Sequence, residues 1–211
     1  MSKLLNCGYD KLFLEMPAVY DRFAKHYDRA FAPLEKLGLS HWRREVASLL
    51  PENASILEIG CGAGANFEYY PACRRAISSE ISIRMLENAW IKRRENHLIQ
   101  ADAESLPFGR DEFDAAFATL VFCSIPRPEF AFAELRRVVR PGGRIVLLEH
   151  VRPTGILGPV FDLIDRATTP LFDDHFNRET AAMAERSGLQ LTEVRSKLGG
   201  IVNLIVCEVD K

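Results

Sequence analysis

The fold of this 211-residue chain is decided by residues 55–66, which read Ser-Ile-Leu-Glu-Ile-Gly-Cys-Gly-Ala-Gly-Ala-Asn. A short apolar run that ends in glycines is typical of a buried strand that leads into a tight turn. Gly60, Gly62 and Gly64 permit positive φ and place no side chain above the end of the strand. We therefore expect a ligand to contact the main chain of this turn directly.

Two acidic residues follow the turn at informative positions. Glu80 ends the next apolar segment, twenty residues beyond Gly60, and at about this offset an acid accepts both hydroxyls of a ribose. Asp102 follows a third segment, 97–100, which we predict to be a strand. Glu80 is a candidate ligand contact, with a solvated loop glutamate as the alternative. Asp102 alone would be interpreted as a turn residue, but its position behind Gly60 and Glu80 makes it a candidate as well. Because ligands of open α/β sheets lie outside the carboxyl ends of the strands, Thr119, Leu120 and Val121 should border the ligand.

The pattern hydrophobic-acid-hydrophobic-Gly-x-Gly-x-Gly, with Glu58 as the acid, resembles the cofactor-binding turn of class I S-adenosylmethionine-dependent methyltransferases. Three further segments resemble this family in the same order. They are the two Tyr-Asp pairs of 20–28, the Asp-Ala-x-x-Leu-Pro-Phe of 102–108 and the helix-turn-strand segment 135–143. Residues 119–124 and 148–151 look most like bacterial phosphatidylethanolamine N-methyltransferases and methyltransferase-like thiol methyltransferases, followed by quinone-biosynthesis C-methyltransferases.

The resemblance implies an α/β fold in one Rossmann-like methyltransferase domain, 1–211. Its seven-stranded sheet is expected to be mostly parallel and to end in an antiparallel C-terminal hairpin strand, for which Gly199 and Gly200 are suitable turn residues. We expect an N-terminal helical cap at 1–50, a cofactor-binding core at 51–150, an acceptor-side insert at 151–176, and a closing helix and hairpin at 177–211.

The implied cofactor is S-adenosyl-L-methionine, with S-adenosyl-L-homocysteine as the product. In the family, the Asp-Ala pair grips the adenine, which gives that role to Asp102 and Ala103. The tyrosines of the two Tyr-Asp pairs are expected to close over the cofactor. The full set of predicted cofactor-binding residues is Tyr20, Tyr27, Glu58, Gly60, Cys61, Gly62, Gly64, Asn66, Glu80, Ile81, Asp102, Ala103, Thr119, Leu120 and Val121.

The predicted acceptor is a small apolar or amphiphilic molecule, namely a lipid amine, a quinol carbon or a thiol. His150 is the candidate catalytic residue, because a histidine with a reference pKa of about 6.5 is a suitable general base. A structural tie at the end of a strand is the alternative role. The apolar stripe of 156–172 is interpreted as a lid over the acceptor, a patch that dips into a membrane interface, or plain helix packing.

Three local elements are also predicted. A helix over about 65–70 would aim its N-terminal amides at the ligand. Ser40 is expected to cap a helix over 41–50. Ser82 is expected to cap the next helix, whose apolar stripe would be Ile83, Leu86, Trp90 and Ile91.

Composition limits the other function classes. The net charge of −2 gives no basic face for a phosphate backbone, which disfavours nucleic acid as a partner. The five cysteines form no C-x-x-C pair and no metal-ligand spacing, so we predict no metal site and a reducing cytosol. No apolar run approaches the roughly 20 residues that span a bilayer. We predict a cytoplasmic protein with the option of peripheral membrane contact, and the sequence leaves the oligomeric state open.

Two other functions stay open at this point. One is a non-catalytic protein that binds S-adenosylmethionine or S-adenosylhomocysteine on the same fold. The other is a nicotinamide-dependent oxidoreductase on a related fold. The second predicts G-x-G-x-x-G in place of G-x-G-x-G and gives no role to Asp102.

Overall fold

The computed structural model describes residue 21, residues 24–151 and residues 178–211. Within them, seven strands form one sheet of order β3-β2-β1-β4-β5-β7-β6. The pairs among β1 to β5 are parallel, and β7 runs antiparallel to both β5 and β6. The predicted fold class is therefore confirmed. The strands are β1 (Ser55–Ile59), β2 (Arg75–Glu80), β3 (His97–Gln100), β4 (Phe113–Thr119), β5 (Val139–His150), β6 (Leu189–Lys197) and β7 (Val202–Val209).

Helices cover both faces of the sheet. The helical residues 24–34, labelled α1, continue through a π-helical turn, Glu35–Leu39, into the next helix. None of the described helices combines the length and the apolar character needed to cross a membrane. The other α-helices in the described residues are α2 (Ser40–Ser48), α3 (Ile83–Lys92), α4 (Pro128–Val138) and α5 (Thr180–Arg186).

The alternation of β1 divides the core into two layers. Leu57 packs in one cluster with Phe132 of α4, and Ile56 packs in the other with Val46 of α2. Because successive side chains of a strand point to opposite faces, Glu58 lies on the face of Ile56, toward α2. This places α2 beneath the carboxyl end of β1, where the glycine turn begins.

Two of the local helix predictions are wrong. The segment after the glycine turn forms a single 3-10 turn, Phe67–Tyr69, and Tyr70 is already extended. Ser40 caps nothing, because α2 continues directly from the π-helical turn. The Ser40 hydroxyl instead donates to the carbonyl oxygen of Glu35 at 2.9 Å.

The cap of α3 is confirmed, but its predicted apolar stripe is wrong. Ser82 Oγ accepts a hydrogen bond from Met85 N at 3.2 Å. The buried face of α3 consists of Met85, Leu86 and Ala89, while Ile83, Trp90 and Ile91 are exposed. The physical reason is that α1 lies against α3, with Asn88 Nδ2 donating to the carbonyl oxygen of Ala24 at 2.9 Å. Tyr20 and the insert 156–172 lie outside the described residues.

Candidate active site

The turn after β1 has a left-handed backbone, with φ of 62° at Gly60, 53° at Gly62 and 81° at Gly64. A Cβ on Gly60 would lie 2.6 Å from Val121 Cγ1, and one on Gly64 would lie 2.5 Å from Phe67 Cε2. No atom lies within 4 Å of the Cβ position at Gly62. Gly60 and Gly64 therefore permit close packing, whereas Gly62 borders open space.

A cleft lies over this turn, at the carboxyl ends of the parallel strands. It is the position at which open α/β sheets bind their ligands. Most of the predicted cofactor-binding residues line it, namely Tyr27, Gly60, Cys61, Gly62, Glu80, Ile81, Asp102, Ala103, Thr119, Leu120 and Val121.

The sheet order arranges these residues along one line. Asp102 follows β3, Glu80 ends β2, Gly60 and Gly62 follow β1, and Thr119 ends β4. Since the strands lie side by side in the order β3-β2-β1-β4, the two carboxylates come first and the loop after β4 comes last. Both carboxylates line the same cleft, as the sequence predicted.

Glu80 is held firmly at the edge of the cleft. Its Oε2 accepts from Gly62 N at 2.9 Å, and its Oε1 accepts from Ser82 N at 2.9 Å. The residue is only 8% exposed. Burial raises the pKa of the Glu80 carboxyl above its usual value, against the lowering effect of these amide hydrogen bonds. Each oxygen keeps a further lone pair for a ligand hydroxyl.

Asp102 lies in a tight turn after β3. Its Oδ1 accepts from Glu104 N at 2.8 Å, and it forms an isolated antiparallel bridge with Ser105. This turn presents Ala103 and Glu104 to the cleft as well. Glu104 is already paired with Arg127 at 2.6 Å.

Three predicted contact residues, Glu58, Gly64 and Asn66, do not line the cleft, which corrects their expected direct role. Glu58 is completely buried beneath it. Its Oε1 accepts from Asn66 Nδ2 at 2.6 Å, and its Oε2 accepts a short hydrogen bond from the Tyr70 hydroxyl. Burial raises the pKa of the Glu58 carboxyl. Glu58 therefore supports the turn from below.

Arg43 is a cleft residue that the sequence analysis missed. It lies on α2, is 5% exposed, and lines the cleft beside Thr119. Its Nη1 donates to Thr119 Oγ1 at 2.7 Å and to Asn66 Oδ1 at 2.8 Å. A signal was present, because Arg43 stands four residues after Leu39 and three before Val46, on the apolar face of the helix.

The loop after β4 forms the far end of the cleft. Leu120 has a φ of 58°, which is unusual for a residue with a side chain. The fully buried carboxylate of Glu149 accepts from the backbone amides of Val121 and Phe122, each at 3.1 Å. Arg178 donates to the carbonyl oxygen of Phe122. Glu149 and Arg178 therefore fix this loop, and neither was predicted. Ser124, Ile125 and Pro126 also line the cleft and were likewise missed.

His150 does not line the cleft. It ends β5, where it pairs with Val202 across the antiparallel ladder. Burial lowers the pKa of its imidazole below the usual value. Its role as a general base stays a prediction, and its position favours the alternative of a structural tie.

Metal and disulfide chemistry were predicted to be absent. In the part of the chain that the structure describes, no three His, Cys, Asp or Glu side chains gather as metal ligands. The described cysteines, Cys61, Cys73, Cys123 and Cys207, are free. The described lining of the cleft offers carboxylates, main-chain groups, a guanidinium and apolar side chains.

This fold and this cleft define a Rossmann-like methyltransferase, since two carboxylates and a bare glycine turn line one edge of a sheet that closes with antiparallel strands. Residues 57–147 match the family described as a methyltransferase domain. A demethylmenaquinone methyltransferase from Tropheryma whipplei is 30% identical over 175 residues, which cover 80% of this chain and 72% of the relative. The chain belongs to the class I S-adenosylmethionine-dependent methyltransferases.

Other relatives agree with this assignment. The thiol S-methyltransferase TMT1B of Mus musculus is 30% identical over 153 residues, which cover 68% of this chain and 62% of that protein. A solved S-adenosylmethionine-dependent methyltransferase from Thermotoga maritima has a TM-score of 0.75 and 22% identity, covering 92% of this chain and all of that one. At that identity the second likeness shows the fold alone.

The cofactor is S-adenosylmethionine, and its demethylated product is S-adenosylhomocysteine, as predicted. The chain is an enzyme of this class. The alternative of a nicotinamide-dependent oxidoreductase is wrong, because the family and the sheet both contradict it.

Proposed function

We propose that the cleft holds S-adenosylmethionine with its adenine at Asp102 and Ala103, its ribose at Glu80 and its sulfonium above the glycine turn. The residues fit this molecule. The Cβ position of Gly62 borders open space, and both Glu80 oxygens retain acceptor capacity. When bound, the cofactor supplies an electrophilic methyl group on a sulfonium. The chain's part is to fix donor and acceptor in position, which can account for about 7–11 kcal/mol of a barrier.

The acceptor, on this proposal, is a small apolar molecule bound at the β4 end of the cleft. Leu120, Val121, Ile125 and Pro126 provide an apolar lining there. The hydroxyl of Ser124 donates to the carbonyl oxygen of Val121 at 2.9 Å, so its proton is already used. An apolar surface of this kind favours a ring or an alkyl chain over a charged or strongly polar acceptor.

The proton chemistry of the cleft selects among the three predicted acceptors. Among the described residues from Thr119 to Pro126 that line the β4 end, none has an acidic or basic side chain, and the guanidinium of Arg43 beside Thr119 is a cation that cannot accept a proton. An aliphatic amine with a pKa of about 10.4 carries a proton on its attacking lone pair at neutral pH. A thiol and a quinol keep their nucleophilic electrons when neutral and become more reactive on ionising. We therefore place a quinol carbon first, a thiol second and a lipid amine third.

The relatives support the same order. Demethylmenaquinone methyltransferases match this chain over 66–84% of its length, and the thiol S-methyltransferase of mouse matches over 68%. The quinol leads because the two longest of these matches, at 84% and 80%, are to demethylmenaquinone methyltransferases, and because its ring suits the apolar lining.

The test is a methyl-transfer assay with S-adenosylmethionine and three acceptors. They are a short-chain naphthoquinol without its ring methyl group, an alkyl thiol, and phosphatidylethanolamine. We expect S-adenosylhomocysteine and a methylated quinol, both detected by mass spectrometry. Methylated thiol without methylated quinol would select the second candidate, and methylation of the amine alone would overturn the proposal. Glu80→Gln is the site control and should reduce turnover with every acceptor.

We also propose that the enzyme is cytoplasmic and makes peripheral contact with a membrane through 156–172. The support is the apolar stripe in the sequence of that segment and the partition of prenylated quinols into membranes. Co-sedimentation with phospholipid vesicles tests this contact. Protein that stays in the supernatant at excess lipid would refute it.

A further inference from the structure

The buried guanidinium of Arg43 lies in the cleft wall and has no task in the proposed function. Its Nε donates to Glu35 Oε1 at 3.0 Å, and its Nη1 donates to Asn66 and Thr119. Among the described residues, none accepts a hydrogen bond from Nη2. This atom is also not one of the buried polar atoms without a partner, so it is accessible at the cleft surface.

The position of Arg43 along the cleft is as informative as its charge. Thr119 ends β4, and Asn66 follows the turn after β1, so the guanidinium lies at the β1–β4 end of the line. Asp102 and Glu80 lie at the opposite end, after β3 and β2. S-adenosylmethionine is a linear arrangement of adenine, ribose, sulfonium and an amino acid. With its nucleoside at the two acids, its amino-acid end extends toward Arg43.

The electrostatics favour an anion at this position. A buried cation is costly unless it is paired and hydrogen-bonded. The ion-pair partner of Arg43 is Glu35, which is itself 27% exposed, while two of its other contacts are the neutral groups of Asn66 and Thr119. These neutral acceptors fix the plane of the guanidinium, while its charge acts on Glu35 and on the buried Glu58, whose pKa it lowers against the larger effect of burial. A guanidinium fixed in this way keeps the two N–H groups of Nη2 for a carboxylate, to which it can donate a charge-assisted hydrogen bond.

We propose that Arg43 binds the α-carboxylate of the amino-acid end of S-adenosylmethionine. This proposal rests on the placement of the nucleoside given under the proposed function, but not on the identity of the acceptor. Arg43 is thus a binding residue supplied by the N-terminal helical cap to a site otherwise built on the sheet. It gives the cap a direct contribution to cofactor affinity.

The test compares two ligands that share adenine, ribose and thioether. S-adenosylhomocysteine carries the amino acid, and 5′-methylthioadenosine lacks it. Isothermal titration calorimetry with wild type and Arg43→Met should show roughly 10- to 100-fold weaker binding of S-adenosylhomocysteine, the effect of one charge-assisted interaction. Binding of 5′-methylthioadenosine should stay unchanged. Arg43→Lys should show a smaller loss, since it keeps the charge but not the contacts with Glu35, Asn66 and Thr119 that hold the guanidinium in place.

Arg44→Met is the matched control, because its guanidinium is exposed and lies 5.1 Å from the ring of Tyr69 instead of in the cleft. It should bind both ligands like wild type. Equal losses for both ligands in Arg43→Met would assign Arg43 a structural role and overturn the proposal. An unchanged affinity for S-adenosylhomocysteine would overturn it as well.

A ligand-side variant protects the test against a mutant that fails to fold. The methyl ester of S-adenosylhomocysteine removes the negative charge, so wild-type protein should bind it as weakly as Arg43→Met binds the acid. Full affinity for the ester would contradict the proposal. None of these measurements uses an acceptor, and hence a failure to methylate a quinol or a thiol leaves their outcome intact.

Discussion

Gly62→Ala should separate the two demands that a glycine turn meets, backbone conformation and space for a ligand. At Gly62 φ is 53°, and no atom lies within 4 Å of the position that a Cβ would take. The left-handed conformation costs a residue with a Cβ about 1–2 kcal/mol. Replacing glycine by alanine also lowers the conformational entropy of the unfolded chain, which offsets this cost by about 0.4–1 kcal/mol. We expect a net loss of about 1 kcal/mol, or roughly 2–4 °C in the unfolding temperature of a chain of this length.

Cofactor binding should suffer more than stability. The open space beside Gly62 belongs to the cleft, so an added methyl group would occupy volume that we assign to the cofactor. Overpacking of this kind costs about 1–3 kcal/mol, which corresponds to roughly a 5- to 150-fold loss of affinity for S-adenosylhomocysteine. Calorimetric titration and thermal unfolding measure the two effects independently.

Gly199→Ala provides the matched control. Gly199 also has a left-handed backbone, with φ of 65°, and also has no atom within 4 Å of its Cβ position. It lies in the connection between β6 and β7 and does not line the cleft. We expect a similar loss of stability and no loss of affinity. If Gly62→Ala binds S-adenosylhomocysteine like wild type, the cofactor does not cover the glycine turn and the proposed placement is refuted.

Three further perturbations follow from the same geometry. Glu80→Gln should weaken the binding of S-adenosylhomocysteine and of 5′-methylthioadenosine equally, by roughly 10- to 100-fold in calorimetric titrations, because both ligands contain the ribose. Burial raises the pKa of the Glu58 carboxyl above its reference value of 4.5. The stabilisation that this shift contributes is therefore complete below pH 4.5 and is lost as pH rises through the raised pKa. The free energy of unfolding of Glu58→Gln, measured with urea across this pH range, should fall less steeply with rising pH than that of wild type. His150→Gln should leave kcat unchanged, because His150 does not line the cleft. If the variant instead loses the fall in kcat at acid pH that wild type shows, His150 is the general base.

The parts of the site that could be predicted are those formed by residues close together in the sequence. The strand that ends in alternating glycines, and the acids that end β2 and follow β3, depend only on local pattern and chain order. The order of parallel strands then brings Glu80 and Asp102 to one cleft. Hairpin glycines similarly indicated the antiparallel closure of the sheet, which is a local feature as well.

Tyr70 leaves the expected helix because Pro71 follows it, and the α region is disfavoured for the residue before a proline. That error concerns a local signal, whereas the missed features depend on contacts between distant segments. Glu149 binds amides 27 and 28 residues away in sequence. A carboxylate at the end of a buried strand does not reveal from sequence which loop it will hold.

Arg43 shows how such a residue can still be found. Its partners Asn66 and Thr119 are 23 and 76 residues away, so no motif contains all three. Yet α2 places Arg43 on the same face as Leu39 and Val46, both of which are buried. A charged residue within the apolar stripe departs from the amphipathic pattern of the helix. Such departures are expected at functional sites. The neighbouring Arg44 is exposed and lies over the ring of Tyr69, so it follows the pattern from which Arg43 departs.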